Sequence, residues 1–244
     1  MTKTEYERLV AEVNRLRGEI HLFNNEEVSE AILDDLKHKI TQFELEHPDQ
    51  ISVNSPNYTI AGGVTEKFEK FRHPRRMLSL NDIFNLQEFL DWEKSWQDFY
   101  RKEYGRESPR NISPKYICEP KIDGLAISLH YQDGFLRFAA TRGDGWVGEL
   151  VTQNILQIKN IPKQIPDKRK IEVRGEVFIT KKDFEKLNKN IAEGRQVGRM
   201  GKTGPEAMFV NPRNAASGTV RQLDSAIVSA RNLSFVAYNV WIED

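Results

Sequence analysis

Residues 125–142 constrain the fold more tightly than any other stretch of the sequence. Apolar and polar residues alternate from Leu125 to Tyr131, and the β pattern resumes from Phe135 to Arg142 after Gln132-Asp133-Gly134. Successive side chains of a strand point to opposite faces, so this period gives one face to a core and keeps polar groups on the other. Asp-Gly between two such runs signals a tight turn, and a β-hairpin is predicted. Residues 171–179 alternate in the same way, with Glu172, Arg174 and Glu176 on the polar face, and residues 233–241 supply a last strand. The expected architecture is an antiparallel sheet with flanking helices.

The first fifty residues read differently. Thr2 and Glu5 have the spacing of a capping box, and Leu9, Val13, Leu16 and Ile20 follow as one stripe of an amphipathic helix. Ser29 can cap a second helix, whose stripe is Leu33, Leu36, Ile40 and Phe43, and His47-Pro48 ends it. Two such helices bury their stripes on each other as an αα-hairpin with an acidic outer surface. Residues 51–63 change to Ser, Asn, Pro and Gly, with Ala61-Gly62-Gly63 as the hinge. The chain is thus predicted to be α+β, with a helical module over 1–62 and a second domain over 63–244.

Within that domain, residues 64–104 are expected to be mostly helical, with Arg72-His73-Pro74-Arg75-Arg76 as a basic break and Met77-Leu78-Ser79-Leu80 as a short apolar segment after it, and Phe84, Phe89, Trp92, Trp96, Phe99 and Tyr100 fall at near-helical spacing, as core residues do. Thr180 is placed to cap a basic helix reaching Ile191, residues 192–210 form an irregular excursion, and Asn211-Pro212 starts another helix.

Composition excludes several classes. Lys+Arg and Asp+Glu are equal at 36 each, so no global field draws the chain to nucleic acid or an anionic membrane. The balance hides a gradient: residues 1–50 carry 6 Lys/Arg against 12 Asp/Glu, whereas residues 181–221 carry 9 against 4 and form the anion-facing side. Cys118 is the single cysteine, which excludes an intramolecular disulfide and a structural zinc site of several cysteines in this chain. The absence of a long apolar run or a charged-then-apolar leader predicts no membrane partner and a cytoplasmic location.

Chemistry centres on Cys118-Glu119-Pro120-Lys121-Ile122-Asp123-Gly124. Tyr116-Ile117-Cys118 has strand composition, which sets Lys121 where two strands meet, partly sheltered from water and able to act as an amine nucleophile. The alternative is a solvated turn lysine. Around it stand Glu119, Asp123, Arg142, Arg174, Glu176, Arg213 and Arg221. Guanidinium groups beside a nucleophilic amine suit a phosphoryl substrate, and carboxylates can hold ribose hydroxyls or a hydrated Mg²⁺. Taken singly, each pair could be a surface salt bridge of little consequence. Gly143 and Gly145 leave room for a ligand to approach the backbone.

Longer motifs carry a resemblance. Thr141-Arg142-Gly143-Asp144-Gly145 with Gly148-Glu149, Glu172-Val173-Arg174-Gly175-Glu176-Val177-Phe178, and the run Phe209-Val210-Asn211-Pro212-Arg213-Asn214-Ala215-Ala216-Ser217-Gly218-Thr219-Val220-Arg221-Gln222-Leu223-Asp224 are similar to those of the bacterial-type NAD⁺-dependent DNA ligases. Lys121-Ile122-Asp123-Gly124 looks like the lysine motif of nucleotidyltransferases. Arg72-His73, Met77-Leu78-Ser79-Leu80, His47-Pro48 and Ser55-Pro56 extend the match over nearly the whole chain. The chain thus resembles the helical subdomain followed by the adenylation domain, and the resemblance implies an antiparallel, ATP-grasp-like nucleotidyltransferase core.

It also implies roles. Lys121 would attack the adenylyl phosphorus of NAD⁺, release nicotinamide mononucleotide and hold AMP, with Asp123 acting near Mg²⁺ and the lysine. Glu119 would read the adenine edge, Tyr238 would stack on the base, Glu176 would bond ribose, and Ser79 and Leu80 would line the pocket. Arg142, Arg213 and Arg221 would meet phosphates, with Arg174 beside them. His21 and Asp34 would serve the nicotinamide half. Nicked duplex DNA is the implied partner, gripped mainly by modules outside this chain.

Three departures qualify the match. No strand motif of the type Asp-Gly-Val-Val-Ile-Lys follows Tyr238, so the adenylation domain is expected to lack that element. The hairpin carries Ile20 and Leu33 where the family has stacking tyrosines, and Leu150 follows Gly-Glu where an aspartate is usual. Two other readings stay open: a reduced relative that binds adenine nucleotide or a partner without turnover, and an ATP-dependent nucleotidyltransferase.

Overall fold

The computed structural model describes residues 1–23, 30–52, 54–57, 68–105 and 116–243, with the side chains at 18–31 left aside. In chain order its elements are α1 (Lys3–Phe23), α2 (Glu30–Glu46), β1 (Lys70–Arg72), α3 (Leu86–Tyr104), β2 (Leu125–Gln132), β3 (Phe135–Thr141), β4 (Val147–Glu149), α4 (Thr152–Ile155), β5 (Lys170–Phe178), α5 (Lys181–Ala192), α6 (Pro212–Val220), α7 (Ser225–Ser229) and β6 (Ser234–Glu243). They form two compact units, residues 1–78 with 122–244, and residues 79–121. This mixture of helices and antiparallel sheet is the α+β class expected from the sequence.

Four antiparallel strands in the order β3-β2-β5-β6 organise the larger unit. The β2–β3 turn is Asp133-Gly134, with φ of 56° and 83°, and Gln132 faces Phe135 across it. Positive φ at both central residues gives the turn a twist that matches the strands, which is why Asp-Gly was a reliable signal. One face of the sheet is apolar. Ile127, Leu129 and Tyr131 of β2, Ala139 of β3 and Ile171 and Val177 of β5 pack there with Ile155, Leu187, Ile191, Ala215, Ala216, Val220 and Val228 from α4 to α7.

Local signals for these helices hold. The Thr180 side chain accepts from the Asp183 N–H at the start of α5, and Asn211 accepts from the Asn214 N–H at the start of α6, with Pro212 next. Residues between them make only short 3₁₀ turns at Arg199–Gly201 and Pro205–Ala207. Asn188 fastens that excursion by exchanging two hydrogen bonds with the Phe209 backbone, 2.7 and 2.8 Å.

The N-terminal helices pair as predicted. The capping box closes reciprocally, Thr2 N–H to Glu5 Oε2 at 2.7 Å and Glu5 N–H to Thr2 Oγ1 at 3.3 Å. Tyr6, Val10, Val13, Ile40 and Phe43 make a small core with Leu9, Leu33 and Leu36 against it, and α2 stops at Glu46, just before His47-Pro48. Inside this core, Tyr6 donates to Glu44 Oε1 at 2.7 Å and accepts from the Ser52 N–H at 2.8 Å, fixing the exit from the hairpin. Ser29 and Ala61-Gly62-Gly63 lie outside the described residues.

Three expectations fail. Residues 70–71, expected as helix, are strand together with Arg72 of the basic break, pairing antiparallel with β4 through Lys70–Glu149 and Arg72–Val147; so short a strand is defined by a partner far along the chain. Residues 116–118 have strand composition but no strand partner among the described residues, so they form no strand. Among the described residues the aromatic stripe of α3 does not form a core: no residue of the helix is buried, and Phe89 and Trp92 gather around Tyr116, at 5.5 and 5.9 Å between rings. A unit this small has too little interior to cover six aromatic rings.

Candidate active site

The second face of the sheet holds polar groups. Pairing aligns Ala126, Ser128 and His130 of β2 with Glu176, Arg174 and Glu172 of β5, and opposed residues share a face. Strand β6 sets Asn239 and Trp241 opposite Arg174 and Glu172. A bulge between Arg174 and Gly175 leaves Tyr238 outside the direct pairing, where it comes under the influence of Glu176, Arg142 and Arg174. Bulges re-aim side chains in this way. Burial, and then the Glu176 carboxylate, raise the Tyr238 phenol above its ordinary value, although about half of the residue is open to solvent.

Cations cluster beside this tyrosine. Arg142 follows β3, and its N–H donates to Ala126 O at 3.1 Å. Its guanidinium is lowered from its ordinary value by burial first and Arg213 second, while Glu176 and Tyr238 oppose the shift. Arg17 of α1 is lowered to about 10, by burial and then by Arg142; its Nη1 donates to Pro56 O at 3.1 Å. Guanidiniums from α1, the end of β3 and α6 therefore share one field, which an anion would relieve. Arg213 also donates to Asp123 Oδ1 at 2.9 Å.

Gly124 explains its own place in Lys-Ile-Asp-Gly. A Cβ there would collide with the Val177 carbonyl oxygen of β5 and sit 3.2 Å from Glu176 Cγ. Only glycine lets the chain enter β2 this close to β5. Gly143 and Gly145 both have positive φ, and a Cβ on Gly143 would meet Val147 O, so the chain's own turn already requires glycine there. Asp144 Oδ1 closes that turn by accepting from the N–H groups of Trp146 and Val147, at 2.8 and 2.7 Å.

Two arginines face protein. Arg174 donates through Nε to Glu172 Oε1 at 2.6 Å and through Nη1 and Nη2 to the carbonyls of Arg76 and Arg75 at 2.9 and 2.6 Å, with its plane 4.1 Å from the Trp241 ring centroid. Arg221 Nε donates to Glu149 Oε2 at 2.9 Å, and Glu149 is wholly buried.

The smaller unit carries Glu119, Lys121, Ser79 and Leu80, all exposed and outside helix or strand. Lys121 is thus neither sheltered nor between two strands, because residues 116–118 are unpaired. Asp34 is exposed on α2, and the His21 side chain lies outside the described residues.

These features coincide with a known family. The family model for the NAD-dependent DNA ligase adenylation domain matches residues 65–244. The chain belongs to that family. Similar proteins include a DNA ligase of Mesoplasma florum, 41% identical over 249 residues, covering 100% of this chain and 34% of that protein. A DNA ligase of Sulfurimonas denitrificans is 39% identical, covering 98% and 34%, and one of Aliarcobacter butzleri is 41% identical, covering 99% and 34%. The chain spans about a third of the length of the curated relatives it matches. No described helix is long and apolar enough to cross a membrane.

Sequence reading missed some of what surrounds this adenylation-domain face. Arg17 sits next to an apolar stripe and gave no sign of its nearness to Arg142, which only the packing of α1 creates. The burial of Glu149 under Arg221 was equally silent, although a glutamate directly before an apolar stretch could have raised the question.

Proposed function

We propose that this chain is the adenylate-forming part of an NAD⁺-dependent DNA ligase, acting on NAD⁺ in the cytoplasm and serving the sealing of nicked duplex DNA. The single observation that carries the reading is the shared electrostatic field of Glu176, Tyr238, Arg142 and Arg213, with Arg213 bonded to Asp123 at the strand entered through Lys-Ile-Asp-Gly.

Lys121 Nζ attacks the adenylyl phosphorus; the N–P bond forms as the P–O bond to nicotinamide mononucleotide breaks, and the amine gives up a proton. Tyr238 supplies a ring for the adenine, Glu119 reads its edge and Glu176 holds ribose. Ser79 and Leu80 line the adenine side. Arg142 and Arg213 neutralise the phosphates, with Arg17 adding to their field. Arg174 acts through the backbone it holds, and Arg221 through Glu149. His21 and Asp34 serve the nicotinamide half.

Mg²⁺ fits this chain only as a hydrated ion carried largely by phosphates. Asp123 is an exposed carboxylate beside Arg213, and the described residues gather no set of carboxylates there. Bound in that way, the ion would neutralise phosphate charge, and Asp123 would be its protein contact.

Incubation with Mg²⁺ and either NAD⁺ or ATP, followed by intact-protein mass measurement, tests the reading. An AMP adduct from NAD⁺ alone is expected, and none with Lys121→Arg, because a guanidinium stays protonated. An adduct from ATP instead, or one that persists in Lys121→Arg, overturns the donor or the nucleophile respectively. No adduct from either donor favours the reduced relative that binds without turnover.

A further inference from the structure

At the other end of the same sheet face, three buried metal-binding side chains converge. Glu172 and Glu176 are four residues apart on β5, about 13 Å along a strand, and Arg174, which bonds Glu172, stands between them. His73 follows β1, His130 is on β2 and Glu172 on β5; all three are buried, and one ligand atom from each lies within 4.8 Å of the others. Strand pairing sets His130 directly opposite Glu172.

Hydrogen bonding prepares the group. His73 Nε2 lies 3.0 Å from Thr141 O, and a carbonyl can only accept, so Nε2 carries the ring proton and Nδ1 keeps its lone pair. A backbone carbonyl on the far nitrogen is how metal-binding imidazoles are commonly oriented. His73 Nδ1 and His130 Nε2 both face Ser128 Oγ, at 3.5 and 3.1 Å. His130 is packed against the Phe138 ring, 4.4 Å between centroids. Glu172 Oε1 accepts from Arg174, but Oε2 is buried without a hydrogen-bond partner, and Arg75 Nη1 is 4.0 Å from it. A buried carboxylate oxygen left in that state is costly.

We propose that His73, His130 and Glu172 form a binding site for a first-row divalent metal ion of the zinc class. Two imidazole nitrogens and one carboxylate oxygen suit Zn²⁺ or Co²⁺; Mg²⁺ and Ca²⁺ prefer oxygen alone. Ser128 Oγ or water completes the set. A tetrahedral zinc ion holds its ligand atoms about 3.3 Å apart, so the cluster closes somewhat on binding, chiefly by rotation of Glu172. Arg75, which is partly exposed, keeps its Nη1 4.0 Å from Glu172 Oε2 and adds a second positive charge near the site. Arg174 keeps Oε1 and adds a positive charge, so affinity is below that of a closed structural zinc site.

Titration of the full chain with Co²⁺, followed by visible absorption and displacement with Zn²⁺, tests the site. Saturation at one ion per chain is expected, and in the unmodified protein the ring nitrogen resonances of His73 and His130 should shift while those of His38 and His47 do not. His130→Phe, which keeps a ring against Phe138, and Glu172→Gln, which keeps an acceptor for Arg174, should each weaken binding about tenfold or more. Binding that is not saturable, that is unchanged in folded forms of these variants, or that shifts only His38 and His47 overturns the proposal. Should both variants fail to fold, the resonances of the unmodified chain decide alone.

Discussion

Single residues on the sheet do two kinds of work, and substitutions separate them. Gly124→Ala places a methyl group against the Val177 backbone and Glu176 Cγ, neither of which can retreat without disturbing β5. Overpacking of this kind costs about 1–3 kcal/mol, and here it also displaces the adjoining Asp123 and Lys121. Urea unfolding should show the stability loss, and adduct formation should fall with it; an unchanged midpoint would mean that the entry to β2 is looser than its contacts indicate. Arg174→Met tests the second kind. It strands the Glu172 carboxylate and frees the Arg75 and Arg76 carbonyls, and removal of one partner of a buried pair costs about 3–5 kcal/mol. A loss below that range, measured the same way, would show that residues 75–76 are held by other contacts. The reason these residues could be anticipated is the period of two: Glu172, Arg174 and Glu176 had to share a face. What each one touches could not be read, because Arg174 bonds residues about a hundred positions earlier.

Elements declared by local chemistry were legible, and those declared by distant partners were not. The Asp133-Gly134 turn, the Thr180 and Asn211 caps and the Thr2–Glu5 box each need only a few neighbouring residues, and each is present. Strand β1 needs β4, more than seventy residues on, and residues 116–118 show the converse, strand composition without a neighbour. In α3 the helical period was right and the inference of burial was wrong, since periodicity says which side chains align and not whether anything covers them. The α1–α2 pair offers an element-scale test. Tyr6→Phe leaves Glu44 Oε1 and the Ser52 N–H without their shared hydroxyl, at a cost of about 1–3 kcal/mol. Burial chiefly, with Glu44 adding to it, raises the Tyr6 phenol above its ordinary value, so the unfolded chain loses this proton first as pH rises. The contribution is complete below about pH 10 and disappears as pH climbs through the folded-state value. Thermal melts of both proteins across that range should therefore converge at high pH, and parallel curves would exclude Tyr6 as the source.

At the scale of the molecule, charge decides what this chain can hold by itself. Positive and negative residues are equal in number, and the hairpin region carries the acidic excess while the stretch around α5 and α6 carries the basic one. Duplex DNA is gripped mainly by neutralising phosphates, so a protein with no net charge gains little long-range attraction and is repelled at its acidic end. The guanidiniums of Arg17, Arg142 and Arg213 share one field, which suits the few charges of a dinucleotide better than the long charged track of a duplex. Two thirds of the length of the similar DNA ligases lies outside the region this chain matches. The chain should accordingly bind a nicked duplex no better than about 10⁻⁵ M at physiological salt, within the range of non-specific association. Its NAD⁺ binding should weaken far less with salt, since only a pair of phosphates is neutralised. Fluorescence anisotropy on a nicked duplex, beside NAD⁺ calorimetry at two salt concentrations, reads both quantities. Sub-micromolar DNA binding with a steep salt slope would place the DNA grip within these 244 residues and make the basic stretch over 181–221 its first candidate.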